Sequence, residues 1–309
     1  MRAKGNQVAP SARTGSDDGH PMKLPDFTYA APTDLRGAIS LLAADPAARA
    51  LAGGQSLIPV LAFRLGAPSM LVDLSNIADL DKIEVNNARL RIGAMARWAA
   101  VAESPLVHTH HPLLRAAISH VAHYQVRNRG TIGGSLAHAD PAAELAAVAL
   151  ACDATIIAQG PQGQRRIAVA DFFCGALTTA LTPAELVIAL ELPCMPTDLR
   201  WGFAEFARRR GDFALAGAVV HFSLDAAGAI MDPHIAGIGA SDRPRRLTAT
   251  ETVLAGQAPS LAILRAAADV ATAETDAADD LHGSAAYRRS LAGTMVLRAL
   301  ADACAITLP

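Results

Sequence analysis

The stretch QVRNRGTIGGSLAHADPAAEL at 125–145 decides the fold. Its centre is Thr131, Ile132, Gly133, Gly134 and Ser135, a paired-glycine turn between a polar run and an Asp-Pro step. Paired glycines admit positive φ and let the backbone approach a ligand closely, and successive N–H groups can converge on an anion such as a diphosphate. Thr131 and Ser135 add hydroxyl donors. One Gly-Gly pair alone is an ordinary turn, but AGGQSLIP at 52–59 repeats the grammar with Ala52, Gly53, Gly54, Gln55, Ser56 and Leu57. Neither turn has the G-x-G-x-x-G spacing of a dinucleotide fingerprint or the Gly-Lys-Ser/Thr ending of a phosphate loop, which weighs against Rossmann and kinase-like readings.

Outward from these turns, the first part of the chain alternates α and β. Thr33-Asp34-Leu35 opens a helix, 48–52 is a short buried strand, 56–65 is helical, 70–73 is a strand, and 82–92 is a hairpin around Asn86-Asn87. Helical pattern returns from Ala96 to about Ala122, broken at Ser104-Pro105 and His111-Pro112. Asp140-Pro141 predicts a helix start that runs to about Cys152. Strands follow at 155–158 and 165–169. Thr182-Pro183-Ala184-Glu185 resembles a capping box ahead of a strand at 186–192, and Pro193 and Pro196 mark a boundary. The remainder reads as strands at 201–208, 214–224 and 229–238 with helices from about 248 to 256 and from 260 onward, a small sheet with a helical cover.

The chain has 309 residues, enough for roughly two compact units, and 51% of them are hydrophobic. A net charge of −2 gives no electrostatic basis for nucleic-acid binding. The most apolar run, 142–158, is interrupted by Glu144 and Asp153 and is not expected to span a membrane. Residues 1–21 are polar, lack a signal-peptide core and read as a disordered extension before a structured start at Met22, with a cytoplasmic location expected. Cys152, Cys174, Cys194 and Cys304 include no close pair that could hold zinc or an iron–sulfur cluster, so a metal redox centre would sit on another chain.

Asp140 and Glu144 lie one helical turn apart where carboxylates favour a helix N-terminus. The Arg208-Arg209-Arg210-Gly211-Asp212-Phe213 run could be a solvated basic turn. His108, His110, His111, His120 and His123 have surface or capping roles as the simpler alternative to zinc, because two histidines three apart need further ligands. The segment 54–58 lacks the final glycine of a hydrolase nucleophile elbow, and Gly237-Ile238-Gly239 reads as a strand ending.

AGGQSLIP at 52–59, the 125–145 motif and ARRRGDFALAG at 207–217 occur together and in this order. With them the chain strongly resembles the FAD-binding medium subunit of molybdenum hydroxylases, the carbon monoxide dehydrogenase and xanthine dehydrogenase family. The resemblance implies an α+β FAD-binding fold of the vanillyl-alcohol oxidase type over 22–195, with subdomains of about 22–80 and 81–195. A C-terminal domain of small antiparallel sheet and helices is implied over 196–309. It implies that both glycine turns hold the FAD diphosphate, that Glu144 meets ribose or ribityl hydroxyls, and that Asp212, Phe213 and Val187 lie toward the isoalloxazine ring, with Asp140 at the same helix start. It implies no catalytic residue or metal on this chain.

The molybdenum cofactor would belong to a large partner subunit and two [2Fe–2S] clusters to a small one, in a dimer of heterotrimers. A stand-alone FAD oxidoreductase of the same fold and a non-catalytic nucleotide-binding assembly subunit are the alternatives. Gln55 stands where carbon monoxide dehydrogenases tend to carry His, Ser135 where Asn is common, and Ala204 near the position of a Lys in NAD-using eukaryotic relatives. The first two weigh against carbon monoxide as the substrate, and the third leaves the terminal acceptor open.

Overall fold

The computed structural model describes residues 24–309; the extension expected over 1–21 and the start expected at Met22 lie outside them. The first part holds β1 (Thr28–Ala30), α1 (Leu35–Ala44), β2 (Arg49–Leu51), α2 (Leu57–Ala62) and β3 (Met70–Asp73). β3 lies between β1 and β2 and is parallel to both. The Asp34 carboxylate accepts the Gly37 N–H at 2.8 Å, which fixes the start of α1 as the sequence predicts. Ala38, Ile39 and Leu42 on the inner face of that helix pack with Val72 and Leu74.

β4 (Ile83–Asn86) and β5 (Arg89–Gly93) form the hairpin, with Asn87 and Ala88 at positive φ in its turn. Next come α3 (Trp98–Glu103), α4 (Pro105–His110) and α5 (Pro112–Ile118), the last two each starting on a proline, whose missing N–H is not needed there. α6 (Tyr124–Arg127), α7 (Ile132–His138) and α8 (Glu144–Ala151) lead into β6 (Thr155–Gly160), β7 (Gly163–Ala168), β8 (Phe173–Gly175), β9 (Thr178–Thr179) and β10 (Leu186–Pro193). β4, β5, β10, β6 and β7 make one antiparallel sheet in that order.

The third sheet is β11 (Arg200–Phe206), β12 (Ala216–Leu224), β13 (Ile230–Ile238) and β14 (Arg245–Arg246). α9 (Thr248–Leu254), α10 (Leu261–Glu274) and α11 (Ala285–Cys304) follow. Alternation sends Ala204, Ala218 and Val220 into a core shared with Met295, Ala299 and Leu300 of α11. The opposite face of the same sheet contributes Val219 and Ala236 to the main core, where α8 lies. Every residue of α8 is buried, as a helix apolar all round after its first residue requires, and its alanines let the elements on either side come close.

The structure corrects three readings of the sequence. Gly133 and Gly134 lie inside the first turn of α7 and not in an open turn. The helix expected from Asp140-Pro141 begins at Glu144, because the Asp140 carboxylate accepts the Ala142 N–H at 2.8 Å in a local turn that precedes it. The box-like segment at 182–185 leads into β10 as read, with Glu185 accepting the Thr182 N–H at 2.6 Å. α2 stops at Ala62 and not near 65, with Arg64 at a φ of 56° beyond its end.

Candidate cofactor site

The two glycine turns, far apart in sequence, meet in space. A β-carbon on Gly53 would lie 2.1 Å from the Arg129 carbonyl oxygen, and one on Gly134 would lie 3.6 Å from Ala52 Cβ and 2.9 Å from Thr131 Oγ1. One on Gly133 would lie 2.4 Å from Ala94 Cβ. Glycine at 53 and 133 is therefore a packing requirement, while Gly54 serves a φ of 71°.

The donors of the two turns differ. In the second, Ile132 N–H goes to Ala96 O, Gly133 N–H to Ala94 O and Ser135 N–H to Thr131 O. Gly134 N–H goes to Thr131 Oγ1 at 3.2 Å, the cap of α7. In the first turn, Gly53, Gly54, Gln55 and Ser56 donate from the backbone to no acceptor among the described residues, and Ser56 gives no side-chain cap to α2. The Gln55 amide folds back onto Gly53 O at 3.2 Å. Four successive uncommitted amides beside a glycine seam are donors of the kind an anion can take up. The sequence treats the two turns as equivalent; the hydrogen bonds assign the free N–H groups to the first and leave the second the Thr131 and Ser135 hydroxyls.

Glu144 is buried at the first residue of α8. Burial pushes its carboxyl up to about 7, with its own N–H opposing and Asp140 adding to the rise. Glu205 is the group that sequence reasoning missed. It sits on β11 with Trp201 and Phe203 on the face turned to the main core, its Oε2 is buried without a partner, and burial and then the charge of Glu144 push it up to about 8. A lone carboxylate at an inward position of the alternating run WGFAEFA is the signal that marks it.

The third motif packs on the residues just before the second. Gly211, at a φ of 86°, packs so closely on His123 that a β-carbon would lie 2.5 Å from the ring. The Asp212 N–H closes the turn on Arg209 O at 3.1 Å, and Phe213 is 74% exposed, so its ring is free to cover a ligand. Tyr124, next to His123, is also exposed. Val187 is buried in the main core beside an irregularity of β10 and is not part of this surface. His111 caps α5, its Nδ1 accepting the Leu114 N–H at 3.2 Å.

The uncommitted amides of the first turn lie at a seam where the two glycine turns touch, and Glu144 is buried at the start of the helix that follows the second. Residues 25–195 match the family described as the FAD binding domain in molybdopterin dehydrogenase, and residues 201–303 match the CO dehydrogenase flavoprotein C-terminal domain. The chain is 40% identical to the nicotine 6-hydroxylase medium subunit of Paenarthrobacter nicotinovorans, over 93% of this chain and 100% of that one. Quinoline 2-oxidoreductase from Pseudomonas putida 86 has a chain that superposes with a TM-score of 0.88 at 39% identity, covering 92% of this chain and 99% of that one. A chain of carbon monoxide dehydrogenase from Hydrogenophaga pseudoflava superposes with a TM-score of 0.89 at 36% identity, covering 92% and 99%.

The protein belongs to the FAD-binding medium subunits of the molybdopterin hydroxylases, and is thus a subunit of an oxidoreductase. The expected α+β fold with its sheet-and-helix C-terminal domain is borne out. Among the described residues no helix is long and apolar enough to cross a membrane.

Proposed function

We propose that this chain takes electrons from two [2Fe–2S] clusters of a small partner subunit and passes them to an external acceptor, which is NAD, a quinone, a carrier protein or oxygen. Substrate hydroxylation on this reading belongs to the molybdenum cofactor of a large subunit. Family membership supports it, and so does the paucity of nucleophile–base pairs in the site: a cofactor carries the chemistry while the protein binds and orients it. The relatives named for nicotine and quinoline, at 40% and 39% identity, favour an N-heteroaromatic substrate for the complex.

The four uncommitted amides of the first glycine turn carry this reading. Ala52, Gly53, Gly54, Gln55, Ser56 and Leu57 hold the diphosphate of FAD, with Thr131, Ile132, Gly133, Gly134 and Ser135 closing the other side by hydroxyl contact and close backbone approach. Glu144 accepts from ribose or ribityl hydroxyls, which replace the water its buried carboxyl has lost. Asp140 fixes the turn that places Glu144. Asp212 shapes the loop that presents Phe213 to the flavin ring, and Val187 supports the ring side from within the core. When bound, FAD supplies the exchange between one-electron carriers and the acceptor.

The division into 22–195 and 196–309, the further division near residue 80, the dimer of heterotrimers and a cytoplasmic location are parts of the same proposal. The test is the visible spectrum of the purified chain, with FAD released by denaturation and counted. About one FAD per chain, and loss of it in Gly134→Asp, is the expected result. A colourless chain that refuses added FAD, or a Gly134→Asp variant with full flavin, would overturn the assignment.

A further inference from the structure

A polar cavity of about 340 Å³ is lined by Asn86, Asn87, Arg89, Arg91, Arg166 and Glu191, none of which belongs to the two glycine turns. It lies on the outer face of the five-stranded sheet. Arg91 pairs in register with Glu84 on one side and Glu191 on the other, while the alternate residues Leu90, Ile92, Leu190 and Leu192 face the core. Glu191 is shared by two cations, with Arg166 Nη2 at 2.6 Å and Arg91 Nε at 3.7 Å.

Arg89 is left over. Its guanidinium makes no hydrogen bond or ion pair with any described residue, yet Nη1 is shut off from solvent. The Arg89 side chain is only half-buried, but a single charged donor atom shut off from water without an acceptor is still costly, and an ion, a water or a ligand that completes it relieves the cost. Counting Glu84, three guanidinium groups face two carboxylates, so the cavity has an excess positive charge. Its volume falls in the range of small-molecule pockets, and the Asn86 and Asn87 amides at the hairpin turn add neutral donors.

We propose that this cavity is an oxyanion site in which Arg89 binds a phosphate or carboxylate group, assisted by Arg91 and Arg166. Planar guanidinium groups match the two-oxygen edge of such groups, and charge-assisted hydrogen bonds there are the strong kind. The group comes either from a mobile phosphorylated or carboxylated metabolite or from an acidic side chain of a partner subunit.

The experiment titrates inorganic phosphate into the FAD-loaded chain by calorimetry, at ionic strength held constant with chloride. Loading fills the diphosphate cradle, so phosphate seen there is not mistaken for this site. Saturable binding that weakens about tenfold or more in Arg89→Gln, and less in the more exposed Arg166→Gln, is expected. FAD content and thermal midpoint are measured for both variants, so a folding defect is separated from loss of the site. If the assembled complex still binds phosphate at this site, the source is a mobile anion; if assembly abolishes binding, a partner acid occupies it. No saturable binding, or binding unchanged in Arg89→Gln, overturns the proposal. Because the readout is loss on changing Arg89, it stands apart from the flavin assignment, which Gly134→Asp tests.

Discussion

Gly53 and Arg129 are pressed together so that a β-carbon on the first would lie 2.1 Å from the carbonyl oxygen of the second. The obstacle is backbone, so no side chain can swing aside, and the two glycine turns hold each other in place. Gly53→Ala is expected to cost about 1–3 kcal/mol of stability and to lower FAD retention together with it. Gly37→Ala in α1, where the nearest atoms are 3.5 Å or more away, is expected to be neutral or to gain about 0.5–1 kcal/mol. Urea unfolding and released-flavin absorbance check both. A Gly53→Ala protein as stable and as yellow as the parent would remove the seam from the account.

The buried carboxylates set a pH dependence with a definite sign. Glu144 is pushed up to about 7 and Glu205 to about 8, from an ordinary value of 4.5. The folded chain therefore binds more protons than the unfolded one over that interval, and stability is lost as pH rises through it. His111 and His221 are pushed down by burial to about 3 and about 4 from 6.5, so their contribution is lost as pH falls below 6.5. The two effects oppose each other on the acid side; above pH 6.5 the histidine effect fades as the unfolded imidazoles lose their protons, and the carboxylates dominate. The thermal midpoint of the FAD-free chain should fall from pH 6.5 to about 8, and Glu144→Gln with Glu205→Gln should flatten the fall. An equal slope in that double variant would assign the effect to other groups.

His221 and His234 both reach the last turn of α8: His221 Nε2 and His234 Nδ1 each lie 2.8 Å from the Ala151 carbonyl oxygen. Ala151 ends its helix, so this carbonyl has no helical partner, and the two imidazoles tie α8 to β12 and β13. His221→Phe keeps the ring volume but removes one donor, and should cost about 1–3 kcal/mol. His234→Phe should cost less if the remaining His221 donor suffices. Equilibrium denaturation of the single and double variants gives the coupling, and additivity of the two would show that the imidazoles do not share the carbonyl.

How far the sequence reaches differs between elements for physical reasons. Strands β3 and β10 and the hairpin at Asn86-Asn87 follow from local alternation and turn chemistry, and the structure places them where the pattern does. α7 is illegible locally, since two adjacent glycines are poor helix formers; it exists because Thr131 caps it and Ala94 leaves no room for a β-carbon at Gly133. Asp140-Pro141 misleads in the other direction, as Asp serves a short turn as readily as a helix cap. Both glycine turns were readable as candidate binding elements. Which of them keeps its amides free was not, because that depends on the pairing of Ile132 and Gly133 with Ala96 and Ala94. Glu205 needs the sheet to show that its alternate position faces Glu144.

Gly211 and His123 join the third motif to the residues that lead into the second, and the contact separates two kinds of strain. At a φ of 86°, any L residue at 211 pays about 1–2 kcal/mol for its backbone alone. A β-carbon would also lie 2.5 Å from the His123 ring and 2.9 Å from the Ala122 carbonyl oxygen. His123 is exposed and can rotate away, whereas the carbonyl cannot. Gly211→Ala should therefore destabilise the loop that carries Asp212 and Phe213 and weaken FAD binding several-fold. His123→Ala in the same chain should recover only the part due to the ring. A double-mutant cycle on FAD affinity and on unfolding free energy measures that part. Full recovery would mean that the ring contact alone holds the loop, and no loss in Gly211→Ala would mean that the loop's conformation is irrelevant to the flavin.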